Sequence, residues 1–167
     1  MLEVDITADE DWDSSRSWDA LVLSATQAAI AESAYPHLAT SARPVEISVL
    51  MTGDDRAREL NAEYRNKDRP TNVLSFPMAD PDDLCSENVA GPELLLGDII
   101  LARGVCEAEA KERCVSVEDH ATHLIVHGTL HLLGYDHHDD QEASDMEARE
   151  VRALARLGVA DPYQVAA

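Results

Sequence analysis

Six of the seven histidines fall between positions 120 and 138, in the stretch EDHATHLIVHGTLHLLGYDHH. On a helix, His127 and His131 project from one face, because residues four apart are neighbours there, and two imidazoles so placed can share a metal. Gly134 lets the chain leave the helix with positive φ. The turn Gly134-Tyr135-Asp136 then swings His137 back towards the same point. Three neutral imidazoles leave the fourth position of a tetrahedral zinc open for water, as a catalytic site requires. The expectation is one Zn2+ per chain on His127, His131 and His137, although nickel, copper or iron also accept such a donor set. Leu124, Ile125, Val126, Leu130, Leu132 and Leu133 make this helix apolar on most sides. Buried imidazoles need partners, and a metal supplies one to each.

The remaining histidines carry weaker signals. His120 and His123 lie on roughly the same helical stripe; His123 reads either as support for the site or substrate contact, or as a capped, partly exposed residue. His138 must point away from its neighbour His137, and His37 receives no role. Asp136 either orients a ligand imidazole or forms the turn. Helical zinc peptidases carry HExxH, with the Glu as general base. Here Gly128 stands in that place, which lowers the peptidase reading and opens room for a bulky substrate near the metal.

A second group of candidates is cationic. Arg65-Asn66-Lys67-Asp68-Arg69 places three cations in five residues of an otherwise acidic chain. It is either a solvated turn or a phosphate-binding loop, in which the planar fork of Arg65 binds two oxygens and stabilises transition-state charge. Lys67 and Arg69 join it as substrate contacts. Asn72 and Ser75 either hydrogen-bond substrate or cap a strand end.

These groups must be positioned by a small α+β fold. Alternation of Leu2, Val4 and Ile6 predicts a strand over Leu2–Thr7. Helical spacing predicts a helix from Trp18 to Ala34, ended by Pro36. Strands are predicted over Val45–Met51, Val73–Phe76 and Leu94–Ala102, the last interrupted at Gly97-Asp98. Asp54 reads as the N-cap of a helix through Tyr64, with Leu60 and Tyr64 facing inward. Met78–Pro92 reads as a flexible loop. Further helices are predicted over Val105–Cys114, Glu118–Leu133 and Gln141–Leu157, with Gly158 as the final stop. The expected architecture is one mixed sheet of about four strands packed with four to six helices, the histidine helix central, and residues 1–167 forming one domain.

Composition bounds the function. Apolar residues make up 45% of the 167, enough for a globular core, and aromatics only 4%, so Leu, Val, Ile and Ala must build it. No apolar run reaches the roughly 20 residues that span a bilayer, and the acidic N-terminus does not read as an export signal, so the expectation is a cytoplasmic protein with no membrane partner. Cys85, Cys106 and Cys114 are odd in number and widely spaced, which suits reduced thiols. A net charge of −20 argues against broad nucleic-acid binding and requires a local basic patch for any such substrate.

Four segments resemble one known family: HGTLHLLGYDH at 127–137, NAEYRNKDRPTNVLSFP at 61–77, LLGDIILA at 95–102 and the closing MEAREVRALARLGVADPY. Together they resemble the bacterial YbeY proteins, from about Val45 onward. The resemblance implies a single-strand-specific, metal-dependent endoribonuclease in ribosomal RNA maturation, notably at the 16S 3′ end, and in ribosome quality control. It also implies rRNA, ribosomal small-subunit proteins and assembly factors as partners. It carries the ligand roles to His127, His131 and His137 and the basic role to Arg65. Many relatives have Asp where this chain has Asn72, which removes a charge there. The expected mechanism is a zinc ion that acidifies water and polarises a phosphate oxygen while Arg65 stabilises the developing charge. The nucleophile is either that water or the RNA 2′-hydroxyl. Two other readings stay open: a zinc hydrolase of peptide or amide bonds, and a ribosome-assembly factor with a structural zinc closed by His123 or Asp136.

Overall fold

A computed structural model describes residues 2–9, 12, 17–41, 43–65, 71–85 and 93–163, with Arg65 in backbone only. Lys67 and Arg69 lie outside the described residues. In chain order the elements are β1 (Leu2–Ala8), α1 (Trp18–Ala31), β2 (Val45–Thr52), α2 (Asp54–Arg65), β3 (Val73–Pro77), α3 (Pro81–Cys85), β4 (Leu94–Ala102), α4 (Arg103–Glu112), α5 (Val117–Leu132) and α6 (Asp140–Arg156). A single 3-10 turn, Pro36–Ala39, follows α1. The sheet runs β1-β2-β4-β3, with β1, β2 and β4 parallel and β3 antiparallel to β4. This is the α+β class, with its one small mixed sheet, that the alternating strand pattern implied.

Strand β2 shows why the sheet has two unlike faces. Val45, Ile47, Val49 and Met51 are buried, while Glu46, Ser48 and Leu50 between them are only half-covered. The buried set packs with α1, α5 and α6 in one core that includes Val22, Ile30, Ile125, Leu130 and Leu154. Ala57 and Leu60 of α2 cover part of the other face, over Leu74, Ile100 and Ala102. Helix α5 lies in the middle, against α1, α4, α6, β3 and β4. It starts at the cap Ser116, whose side chain accepts from the Asp119 N–H at 3.1 Å.

Two glycines set α5 down on the sheet. The β2–β4 register slips between Glu46 and Ile47, which pair with Leu95 and Gly97 and leave Leu96 as the extra residue. This bulge changes the parity of β4, so that Leu94, Leu96, Ile99 and Leu101 all enter the core. Strand β4 is therefore continuous through Gly97-Asp98, where the sequence suggested a break. Gly97 adopts φ +141°, and a Cβ there would stand 2.2 Å from the Phe76 carbonyl oxygen and 2.8 Å from Leu132 of α5. Gly128 lies directly over Ile99, whose Cγ2 a Cβ would meet at 3.2 Å. The room that glycine was expected to leave for substrate is thus filled by β4.

Other sequence expectations are also corrected. Asp54 is not the cap of α2, because the Gly53 carbonyl precedes that helix and accepts from Ala57 N–H. The Asp54 carboxylate instead accepts from Val105 N–H at 3.1 Å and so caps α4, which starts two residues earlier than expected. Tyr64 is 63% exposed and rests edge-on to Phe76 rather than facing inward. The expected loop over Met78–Pro92 contains the short helix α3, and residues 86–92 lie outside the described set. Helix α1 stops at Ala31, before Pro36. Among the described residues no helix is long and apolar enough to cross a membrane.

Candidate metal centre

Helix α5 ends in a Schellman motif, and that motif brings the third histidine home. Gly134, at φ +92°, follows the helix. Its N–H bonds to the His131 carbonyl at 3.0 Å, and the Tyr135 N–H bonds to the Leu130 carbonyl at 3.0 Å. The reversed chain then carries His137 beside the helix face that presents His127 and His131. Ring centroids are 4.4 Å apart for His127–His131, 5.2 Å for His131–His137 and 5.9 Å for His127–His137. One nitrogen from each ring lies within 4.8 Å of the others. His127 and His131 are half-buried, and His137 is exposed.

The hydrogen bonds decide which nitrogens face inward. His131 Nδ1 lies 2.9 Å from the Tyr135 carbonyl, which only accepts, so Nδ1 carries the proton. His127 Nδ1 contacts the Glu150 carboxylate and is the donor by the same reasoning. In the neutral rings both Nε2 atoms therefore hold lone pairs, and they face each other at 2.9 Å. Two lone pairs at that distance repel unless a cation lies between them. Nitrogens bound to one tetrahedral zinc at about 2.0–2.1 Å stand about 3.3 Å apart, close to this spacing. The three histidines thus fit a divalent cation.

Around this core, burial and hydrogen bonds act on several ionisable groups. Burial, followed by the neighbouring His127, lowers the His131 pKa to about 4. Glu150 of α6 is fully buried, and burial alone would raise its pKa. Hydrogen bonds from His127 and Tyr163 outweigh that and leave it lowered, hence ionised. Tyr163 donates its O–H to the second Glu150 oxygen; burial and that carboxylate raise its own pKa. His123 Nε2 lies 3.9 Å from Glu150 Oε1 and 3.4 Å from Tyr163 Oη, and burial lowers its pKa to about 4. Glu150 and Tyr163 were not singled out from the sequence. A signal for Glu150 did exist: it occupies the buried stripe of α6 with Met146, Ala153 and Leu154, where a carboxylate is out of place.

The other candidates separate clearly. His120 Nε2 bonds to Glu109 at 2.9 Å, away from the three ligand candidates. Asp136 accepts from the His137 backbone N–H at 2.8 Å and faces His138 Nε2 at 2.7 Å, so it shapes the turn and engages the exposed His138. His37 bonds to the Leu84 carbonyl at 3.0 Å. Asn72 donates to Glu109 at 3.0 Å and accepts from Val73 N–H at 2.7 Å, which ties it to the start of β3. An aspartate at position 72 would instead oppose Glu109.

A cavity of about 760 Å³ opens onto the histidines. Its wall includes Asn61 of α2, Thr71, Asn72 and Ser75 around β3, and His127, His131 and His137. Arg65 closes α2 four residues after Asn61, and Thr71 is on the cavity wall. The Arg65 side chain, Lys67 and Arg69 lie outside the described residues.

The family profile described as Endoribonuclease YbeY matches residues 7–158. The chain belongs to that family. The Endoribonuclease YbeY of Rhizorhabdus wittichii is 51% identical over 167 residues, covering 99% of this chain and 98% of that protein. The Sphingopyxis alaskensis relative is 50% identical over 164 residues, covering 98% of each. The one from Zymomonas mobilis is 48% identical, covering 98% of this chain and 93% of its own. A Thermotoga maritima protein whose structure was determined in solution superposes with a TM-score of 0.55 at 21% identity, covering 98% of this chain and 97% of that one. At that identity the likeness speaks for the fold.

Proposed function

We propose that this chain is a metal-dependent endoribonuclease that cuts single-stranded RNA during ribosomal RNA processing, with zinc as its metal. The observation that carries the reading is the pair of inward-facing Nε2 lone pairs at 2.9 Å, with His137 completing a three-nitrogen set beside an open cavity. The family supplies the reaction, since the relatives are named endoribonucleases. Cleavage at the 16S 3′ end, and small-subunit proteins and assembly factors as partners, follow from the YbeY resemblance; a cytoplasmic location and a single domain over residues 1–167 rest on composition and length, and all belong to the same proposal.

When bound, the metal supplies Lewis-acid chemistry, polarising a phosphodiester oxygen and acidifying water. The protein's own groups do the rest. His127 and His131 each keep Nδ1 protonated on a fixed acceptor, so their Nε2 atoms stay available without reorganisation. Arg65 meets the phosphate with two parallel N–H donors and stabilises the charge that develops there. Lys67 and Arg69 supply the local positive potential that a chain of net charge −20 otherwise lacks, while Ser75 on the cavity wall contacts the substrate. Asn72 acts by holding the start of β3 in place.

The two competing readings lose support from particular residues. Gly128 packs on Ile99 where a peptidase would carry its base. A structural zinc needs a fourth protein ligand, yet His123 faces Glu150 and Tyr163, and Asp136 is engaged with His137 and His138. The test is cleavage of a single-stranded ribosomal RNA fragment by zinc-loaded protein, beside His127→Ala and Arg65→Ala proteins purified identically. The parent alone should cut. Equal cleavage by all three, each shown to be folded, would overturn the proposal.

A further inference from the structure

Glu150 and Tyr163 stand outside the three-histidine set, on α6 and the segment that follows it, yet Glu150 touches His127 and Tyr163 touches Glu150. Glu150 carries a carboxylate into the buried stripe of α6, a placement that is costly unless both oxygens find donors. One oxygen takes the His127 Nδ1 proton, and the other takes the Tyr163 hydroxyl proton. Tyr163 arrives by a separate route. Helix α6 ends at Arg156, and the chain reverses at Gly158, φ +73°, with Val159 N–H on the Leu154 carbonyl at 2.9 Å. The chain then turns back over α5, where the Tyr163 ring sits edge-on to His123 with centroids 5.7 Å apart.

We propose that Glu150 and Tyr163 are positioning residues for metal binding: Tyr163 holds Glu150, and Glu150 holds the His127 ring with Nε2 open to the metal. The inference rests on the proposed three-histidine coordination. An imidazole with no partner at Nδ1 divides between two tautomers and rotates about its side-chain bonds, so part of its population presents N–H instead of a lone pair to the cation. A carboxylate at Nδ1 removes that part, and losing such a partner costs 10–100-fold in metal affinity, in order of magnitude. Tyr163 acts one step further out through a single hydrogen bond, so its loss weakens binding by roughly 3–10-fold. His131 obtains the same service from the Tyr135 carbonyl, a backbone group that no side-chain substitution removes. Glu150 is therefore the side chain on which the geometry of the pair depends.

The experiment is zinc competition against a chromogenic chelator at neutral pH, for the parent, Glu150→Gln, Tyr163→Phe and the double variant. Ring 15N shifts of His127 and thermal midpoints in excess chelator are recorded on the same metal-free proteins. The expected result is the stated losses of affinity, a double variant no weaker than Glu150→Gln alone, and mixed His127 tautomers in the Glu150 variants. Additive losses, or weaker binding with an unchanged His127 tautomer, would make the pair merely structural and overturn the inference. Unchanged affinity in Glu150→Gln would overturn it as well. A parent that binds no zinc would refute the coordination itself, an outcome distinct from failure of the relay.

Discussion

Zinc should stabilise the folded protein by an amount that the site geometry makes accountable. The perturbation is removal of metal by chelation, followed by titration with zinc. All three proposed ligands lie within eleven residues, but the fold holds their arrangement: the Tyr135 carbonyl at the end of α5 fixes His131, and Glu150 of α6 fixes His127. An unfolded chain keeps the histidines and loses those supports, so the cation favours the native state. At zinc 100-fold above its Kd, the stabilisation is about 2.7 kcal/mol. For a chain of 167 residues each kcal/mol moves the midpoint by about 2–4 °C, which gives a rise of roughly 5–11 °C. The assay is differential scanning calorimetry of chelator-treated protein with and without added zinc, beside His131→Ala. The parent should show the rise and the variant should not. Because the ligands must be neutral, the rise should also shrink as pH falls through the histidine range. A midpoint within 1 °C of the metal-free value, with zinc shown to be bound, would refute the argument that the native fold assembles the site.

Two further perturbations test the framework. Gly97→Ala places a Cβ 2.2 Å from the Phe76 carbonyl oxygen, in a backbone conformation that L-residues disfavour, and should cost about 3–5 kcal/mol in urea denaturation. Gly128→Ala meets only the Ile99 side chain at 3.2 Å and gains helix propensity, so it should stay within about 1 kcal/mol of the parent; equal losses for the two would contradict the packing described. The metal-free protein should lose stability as pH falls from about 6.5 towards about 4. In that window unfolded histidines take up protons that buried His123 and His131 refuse, so the unfolded state binds more protons and stability rises with pH. The urea midpoint measured across that range should fall less steeply in His123→Gln, and parallel slopes would sink the assignment.

The strands and the histidine helix were legible in the sequence because their signals are local. Alternation in β2, the spacing of His127 and His131, and a glycine after the helix act within a few residues, and each survived into the fold. Asp54 shows where that logic ends. A carboxylate at the start of a helix reads as its own helix's cap, yet here it caps α4, because the packing of α2 against β4 and α4 brings the two N-termini together. Gly128 reads as open space only until β4 is placed against it. Arg65 was noticed for its charge, whereas Asn61, one turn earlier on α2 and not singled out, is the residue the fold places on the cavity wall.

By itself, then, the sequence picked out the candidate donor set, since His127, His131 and the reversing Gly134 before His137 act within one short segment. The tertiary structure decided the tautomer and aim of His127. His127 depends on Glu150, 23 residues away, and Glu150 on Tyr163, 13 residues further along the chain. No periodicity connects these positions. They meet because α6 buries its apolar stripe against α5 and α1, and because the chain beyond Gly158 folds back over α5. Pairings set by helix packing carry no local sequence signal, and this one decides which face of the ring a metal would meet.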